Sequence, residues 1–200
     1  MALEFDEEKH LYTLDGVELP SVTEICRFLN YDTAVNAKPW LRDAAAARGT
    51  RVHEWCMLYD YDELDFSDIE PCEMGYVKAY LSFLRDYRPQ WELIEHPIGS
   101  ARLGYAGTLD RYGVIDGKTA IVDLKTTSVL RKVPLAVQLA GYCDLLYDRY
   151  GYETNNFYGL HLQKDGCYAL TEVEPDFETF YNCMELHNKL KRKKRVKHEQ

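Results

Sequence analysis

The segment from Gly107 to Lys125, GTLDRYGVIDGKTAIVDLK, constrains the fold more than any other part of the 200-residue chain. It reads as two β-strands joined by Asp116-Gly117, a dipeptide suited to the positive φ angles of a two-residue hairpin turn. With that turn Ile115 faces Lys118, and counting outward brings Asp110 opposite Asp123. Facing residues of an antiparallel pair hold their Cβ atoms about 4.5–5.5 Å apart. Lys125 follows Asp123 by two positions and so shares its face. Two carboxylates at that separation repel unless positive charge lies between them. A divalent cation meets the need, since Mg²⁺ sites use one or two carboxylates with water and substrate phosphate. The hairpin thus reads as half of a metal-dependent phosphodiesterase site.

Composition sets the outer bounds. At 46% hydrophobic residues the chain suits one compact domain with its own core. No apolar run is long enough to span a bilayer, and MALEFDEEKH is acidic where a signal peptide needs a cationic start. A soluble, cytoplasmic protein without a membrane partner is expected. The six cysteines (Cys26, Cys56, Cys72, Cys143, Cys167, Cys183) form no C-x-x-C pair and are expected to be reduced, mostly buried thiols.

A net charge of −9 argues against indiscriminate nucleic-acid binding, yet residues 189–200, KLKRKKRVKHEQ, hold seven Lys/Arg and one Glu. The tail carries +6 and the rest of the chain −15. Two readings of it stand open: phosphate contacts through Lys191, Arg192, Lys193, Lys194 and Arg195, or a solvated, frayed helix end. The acidic run from Asp60 to Glu70 reads as an exposed linker.

Periodicity orders the elements. HLYTLDGVEL alternates around Asp15-Gly16 as a small hairpin. Ser21-Val22-Thr23-Glu24 is a capping box opening a short helix through about Leu29. Pro39 to about Tyr59 is a second helix and Glu70 to Tyr87 a third, with Met74, Val77, Tyr80, Leu81 and Leu84 as its apolar stripe. Strands follow at Trp91–Ile98, Gly107–Ile115 and Thr119–Thr126, then a helix from Leu135 to Tyr150. A second hairpin, Asn156–Gln163 with Cys167–Val173, precedes a closing helix from Phe177 to about Lys194. A single domain over 1–200 is expected: 1–89 mainly helical with the small hairpin, 90–190 a β-β-β-α-β-β-α core, and 189–200 the basic tail. The fold class is mixed α/β (α+β), a central mixed sheet flanked by helices with an N-terminal helical region.

Three acid-x-lysine pairs occur: Glu7/Lys9, Asp116/Lys118 and Asp123/Lys125. Only the last lies in an apolar strand, where burying both charges is costly without partners. A structural ion pair is the plain alternative to a catalytic one. Further along, Gln138 and Tyr142 are four apart and share a helix face, and Arg48-Gly49-Thr50-Arg51-Val52-His53 sets a histidine inside the second helix. Each also has a plain reading, as a polar helix edge and as a core histidine.

Taken in order, these features resemble the PD-(D/E)XK nuclease superfamily, and within it the RecB-like exonucleases. The resemblance rests on His53 after Gly49, an acid on the first strand, Gly107-x-x-Asp110, Asp123-x-Lys125 and Gln138-x-x-x-Tyr142. Pro20-Ser21-Val22-Thr23-Glu24-Ile25 is similar to the start of many phage-encoded members. It implies a restriction-endonuclease-like core and a DNA exonuclease using one or two Mg²⁺ or Mn²⁺ ions, bound by Asp110, Asp123, the Leu124 carbonyl and His53. Lys125 would orient or activate the attacking water and stabilise charge at the phosphate, while Gln138 and Tyr142 position substrate or lysine; beside the metal, burial and nearby positive charge favour a lowered pKa for that lysine. Glu95 is the choice for the first-strand acid, because Glu92 would point to the opposite face. Linear DNA in phage or prophage recombination is the implied substrate, with a phage single-strand annealing protein as an implied partner. The scattered cysteines depart from the pattern of iron–sulfur relatives, so no cluster is expected. An endonuclease with the same site, a non-catalytic DNA-binding module and a metal-stabilised structural protein remain alternatives. Oligomeric state, strand preference and polarity are left open.

Overall fold

The computed structural model describes residues 2–6, 9, 11–30 and 38–198, with the side chains of all but 30 and 193–198. Glu7, of the Glu7/Lys9 pair, lies outside the described residues, as do the side chains of Lys193, Lys194 and Arg195.

An N-terminal antiparallel sheet comprises β1 (Leu3–Asp6), β2 (Leu11–Leu14) and β3 (Val17–Leu19). The expected hairpin is β2–β3. The sequence reading missed β1, an acidic four-residue segment that pairs Leu3 with Leu14 and stacks Phe5 on Tyr12. The sheet packs against the larger one, where Tyr12 Oη meets Thr108 Oγ1 at 2.8 Å. Ser21 then caps α1 (Val22–Ile25) by accepting from the Glu24 amide at 3.0 Å. The reciprocal bond of a capping box is not among the described hydrogen bonds. A 3₁₀ turn, Cys26–Asn30, completes the short helical segment.

Two longer helices follow, α2 (Pro39–Asp60) and α3 (Met74–Tyr87). The expected α3 stripe is corrected. Tyr76, Val77, Ala79, Tyr80 and Phe83 are buried, whereas Met74, Leu81 and Leu84 are only half-buried. The helix meets both the sheet and α2, and Phe83 turns inward to stack on Tyr87 and Trp91. The acidic linker is also corrected at its ends, since Asp60 is enclosed by Arg111 and Ile69 is buried. Among the cysteines only Cys26, Cys56 and Cys183 are buried, while Cys72 and Cys167 are exposed.

The central sheet runs in the order β4 (Gln90–Ser100), β5 (Tyr105–Ile115), β6 (Lys118–Lys125), β7 (Phe157–Leu162), β8 (Tyr168–Glu172). All neighbours are antiparallel except β6 and β7. That parallel pair requires a crossover, supplied by α4 (Lys132–Tyr150). The closing helix is α5 (Phe177–His198). Side-chain alternation splits the core in two. Ile121 joins Tyr112, Leu139, Leu145 and Phe180 beneath α1, α4 and α5. Ala120, Val122 and Leu124 join Val52, Cys56, Tyr80 and Phe83 beneath α2 and α3. The expected mixed sheet flanked by helices is therefore present. Among the described residues no helix is long and apolar enough to cross a membrane.

Gly75 shows how tightly α3 is seated. A Cβ there would lie 1.8 Å from the carbonyl oxygen of Lys164 in the β7–β8 turn. Alanine is the better helix former by about 1 kcal/mol, but overpacking against backbone costs about 1–3 kcal/mol or more. Gly75→Ala is therefore expected to lower the urea midpoint and the melting temperature. A midpoint equal to or above wild type would show that the turn gives way freely.

Candidate metal centre

The hairpin register is as counted. Asp116 and Gly117 take φ values of 50° and 77°, and Ile115 pairs with Lys118. The ladder runs to Arg111 opposite Val122 and stops, although β5 and β6 both continue. The next step of the register is Asp110 and Asp123. There the Asp110 carboxylate replaces a ladder carbonyl, its Oδ2 accepting from the Leu124 amide at 2.7 Å. Beyond that point β5 pairs with β4, β6 pairs with β7, and an opening lies between them.

Three donors converge on this opening. His53 of α2, Glu95 of β4 and Asp110 of β5 each offer a ligand atom, all within 4.8 Å of one another. His53 Nδ1 is 3.2 Å from Glu95 Oε1 and 3.7 Å from Asp110 Oδ1, and its Nε2 is 3.2 Å from the Leu124 carbonyl. Both short contacts are to acceptors, so both ring nitrogens carry a proton here and the imidazole is cationic. Burial pushes His53 down, but the charges of Asp110 and Glu95 outweigh it and hold it up to about 9. Burial, opposed by His53 and reinforced by Asp123 and Glu95, pushes Asp110 up to about 7. Burial also acts to raise Glu95, yet His53 and Arg111 bring it below its ordinary value.

Asp123 lies outside that group of three. Its Oδ2 forms an ion pair with Lys125 Nζ at 2.5 Å. A lowered pKa is expected of Lys125 beside a bound metal ion, and the protein's own groups act on it in the other direction. Burial lowers it, but Asp123 and Asp110 outweigh burial and raise it above its ordinary value. Lys125 and His53 keep 27% and 24% of their side-chain surface open, so the site can be reached from solvent.

Helix α4 supplies the remaining members of the predicted set. Gln138 and Tyr142 are buried one turn apart, and Tyr142 is raised by burial and then by the nearby charges of Asp110 and Asp123. Gly107 permits this approach, because a Cβ on it would come 2.8 Å from Tyr142 Cε1. The structure places Glu95, not Glu92, in the group; Glu92 instead accepts a bond from Tyr152. Simple alternation does not account for this. The β4–β5 register shifts between Trp91 and Leu93, and Glu95 takes a left-handed φ of 41°. Sequence reasoning missed Arg111, which bonds Glu95, and Asp60, which bonds Arg111 behind it. A charged residue alternating with Asp110 along a buried strand was the available signal. Of the basic tail, Lys191 and Arg192 are exposed and line a cavity of about 360 Å³ with Asn188, Glu18 and Pro20, separate from this group.

The donor set fits a divalent cation. Carboxylate oxygens and a backbone carbonyl are hard ligands of the kind Mg²⁺ and Mn²⁺ take. Burial first, and then Asp123 and Glu95, disfavour the Asp110 carboxylate, and a bound cation would favour it. It would also displace the His53 proton, as ligand nitrogens must be deprotonated.

No family model matches the chain, and no curated protein sequence matches it. Among solved structures it is similar to an alkaline exonuclease (LHK-Exo) from Laribacter hongkongensis, at 12% identity over 75% of this chain and 85% of that one, with a TM-score of 0.35. It is also similar to the protein SSO0001, at 18% identity over 67% of this chain and 72% of that one, with a TM-score of 0.34. At these identities and scores neither likeness bears on what the chain does.

The two raised groups give the site a definite pH signature. A folded pKa above the unfolded one adds stability below the unfolded value and loses it as pH rises through the folded one. Asp110 therefore loses its contribution from about pH 4 up through about 7, and His53 from about 6.5 up through about 9. In chelator, wild type should fall relative to Asp110→Asn between pH 5 and pH 8.5, and the variant should melt no lower than wild type at pH 8. Parallel melting curves across that range would show that Asp110 is not under this strain.

Proposed function

We propose that this chain is a metal-dependent deoxyribonuclease of the PD-(D/E)XK type, RecB-like in its motifs and acting on DNA ends. The observation that carries the reading is the convergence of His53, Glu95 and Asp110, from three separate elements, at the parting of β5 and β6 with Lys125 beside them. Structural ion pairs need no such gathering of donors in a place open to solvent.

Asp110, Glu95, His53 and the Leu124 carbonyl would hold one or two Mg²⁺ or Mn²⁺ ions, with Asp123 joining as its carboxylate turns from Lys125. A bound ion supplies a Lewis acid for the phosphate and a water of lowered pKa. Lys125, released from Asp123, would present its ammonium group to the phosphate oxygens and stabilise charge developing there. Tyr142 and Gln138, fixed by burial on α4, would orient the lysine and the scissile strand. The resemblance of Pro20-Ser21-Val22-Thr23-Glu24-Ile25 to phage-encoded members supports a role in phage or prophage recombination, in the cytoplasm, with a single-strand annealing protein as partner. Lys191 and Arg192, with the tail beyond them, would meet the phosphates of DNA that the acidic body otherwise repels.

Digestion of end-labelled linear DNA and closed circular DNA, with Mg²⁺, Mn²⁺ or chelator, tests the reading. Linear DNA should shorten from its ends only with metal while circular DNA persists. Nicking of the circle would make the enzyme an endonuclease, and binding without cleavage a DNA-binding module. Lys125→Met should lose more than tenfold in rate, beyond about 1.4 kcal/mol of barrier, while Mn²⁺ binding is largely kept. Turnover within tenfold of wild type would leave Asp123 and Lys125 as a structural ion pair.

The tail has its own measurement. Each phosphate neutralised on duplex DNA contributes about −0.9 to the slope of log K against log[salt]. Truncation after Leu190 is expected to weaken DNA binding and flatten that slope, with cleavage at saturating DNA nearly unchanged. An unaltered slope would retire the tail as a DNA contact and leave it a solvated helix end.

A further inference from the structure

Arg111 follows Asp110 on β5 and points the other way, toward α2 and α3, where its side chain is completely buried. A buried guanidinium is costly unless acids and hydrogen bonds enclose it. Its Nε donates to Asp60 Oδ2 at 2.8 Å, and its Nη1 donates to Glu95 Oε1 at 2.9 Å and to the Asp110 carbonyl at 2.7 Å. Tyr80 closes the set, its hydroxyl donating to Asp60 Oδ2 at 2.6 Å and its ring lying 5.7 Å from the guanidinium carbon. Glu95 Oε1 is also the oxygen that faces His53 Nδ1. Glu95 itself takes the left-handed φ of 41°, a conformation that a glutamate keeps only where its surroundings over-determine it.

The geometry points to Arg111 as the positioning residue of the metal centre: anchored on Asp60, its guanidinium holds Glu95 in the strand conformation that presents the carboxylate to a cation shared with His53 and Asp110. This inference rests on the metal-dependent reading of the same site. A planar fork suits the task because two of its nitrogens reach two acids on different elements at fixed spacing, which a lysine ammonium cannot reproduce. The bond to Glu95, on the oxygen that also meets His53, is what ties it to the site.

Mn²⁺ alone is the probe, titrated into the metal-free full chain and followed by calorimetry and by the electron-spin signal of the free ion. Arg111→Met by itself leaves Asp60 and Glu95 without their cation and risks unfolding. Arg111→Met combined with Asp60→Asn removes one charge of each sign and keeps the neighbourhood balanced. The double variant should bind Mn²⁺ about 10- to 100-fold more weakly, the range seen when groups behind metal ligands are removed. Its melting temperature in chelator should stay near wild type, and Arg111→Lys with Asp60 intact should recover only part of the affinity. If the double variant does not fold, Asp60→Asn alone should weaken Mn²⁺ binding in the same direction by a smaller factor.

Wild-type affinity in the double variant, or in Asp60→Asn where that is the variant measured, overturns the positioning role while the metal-dependent reading stands. Full affinity in Arg111→Lys also overturns it, because charge alone would then suffice. A wild type that binds no Mn²⁺, or binds it equally with Asp110→Asn, overturns both.

Discussion

A cation buried among acids is the interaction on which the rest of this molecule depends. Arg111 joins the last residue of α2, the middle of α3, the strand β4 and its own strand β5 through contacts to Asp60, Tyr80 and Glu95. Such a set adds little net stability over a well-packed apolar one, but losing one member leaves an uncompensated charge and costs about 3–5 kcal/mol. Its effect is therefore one of specificity. The helices cannot slide on the sheet without separating Asp60 or Tyr80 from the guanidinium, and Glu95 cannot relax its backbone without leaving it.

The strand alternation that buries Arg111 on one side turns Asp110 toward the other. Asp110 has two tasks there. One oxygen satisfies the Leu124 amide at the step where the β5–β6 ladder ends, and the other faces His53. The opening between the strands is thus stabilised by the same residue that makes it electronegative. Three acids, Glu95, Asp110 and Asp123, then stand near Lys125 and the imidazolium of His53. Those two cations balance the acids, with the imidazolium of His53 between Glu95, Asp110 and the Leu124 carbonyl.

Charge is distributed over the chain in a related way. A body of −15 draws cations toward an acidic opening and repels the phosphates of a nucleic acid. Lys191 and Arg192, exposed on α5, offer the opposite field away from the candidate metal centre. Under the proposed function, affinity for DNA and chemistry upon it would be carried by different parts of the chain, which makes them separable by mutation and by salt.

Local periodicity and turn chemistry made the strands after β1, the two longest helices, the hairpin register and the shared face of Asp123 and Lys125 legible from the sequence. An Asp-Gly turn fixes the pairing that follows it, and a period of two fixes the side chains that share a face. The tertiary structure alone decided the rest. That β5 and β6 part at Asp110, that Glu95 reaches the site through a register shift and a left-handed residue, and that Asp60 leaves an apparent linker to pair with Arg111 are contacts between distant segments. The upward direction of the Lys125 shift likewise draws on Asp110 and Glu95, which other strands bring to it, as well as on Asp123 of its own strand. Periodicity records which way a side chain points. It holds no record of what arrives from another element to meet it, and here the site is made of such meetings.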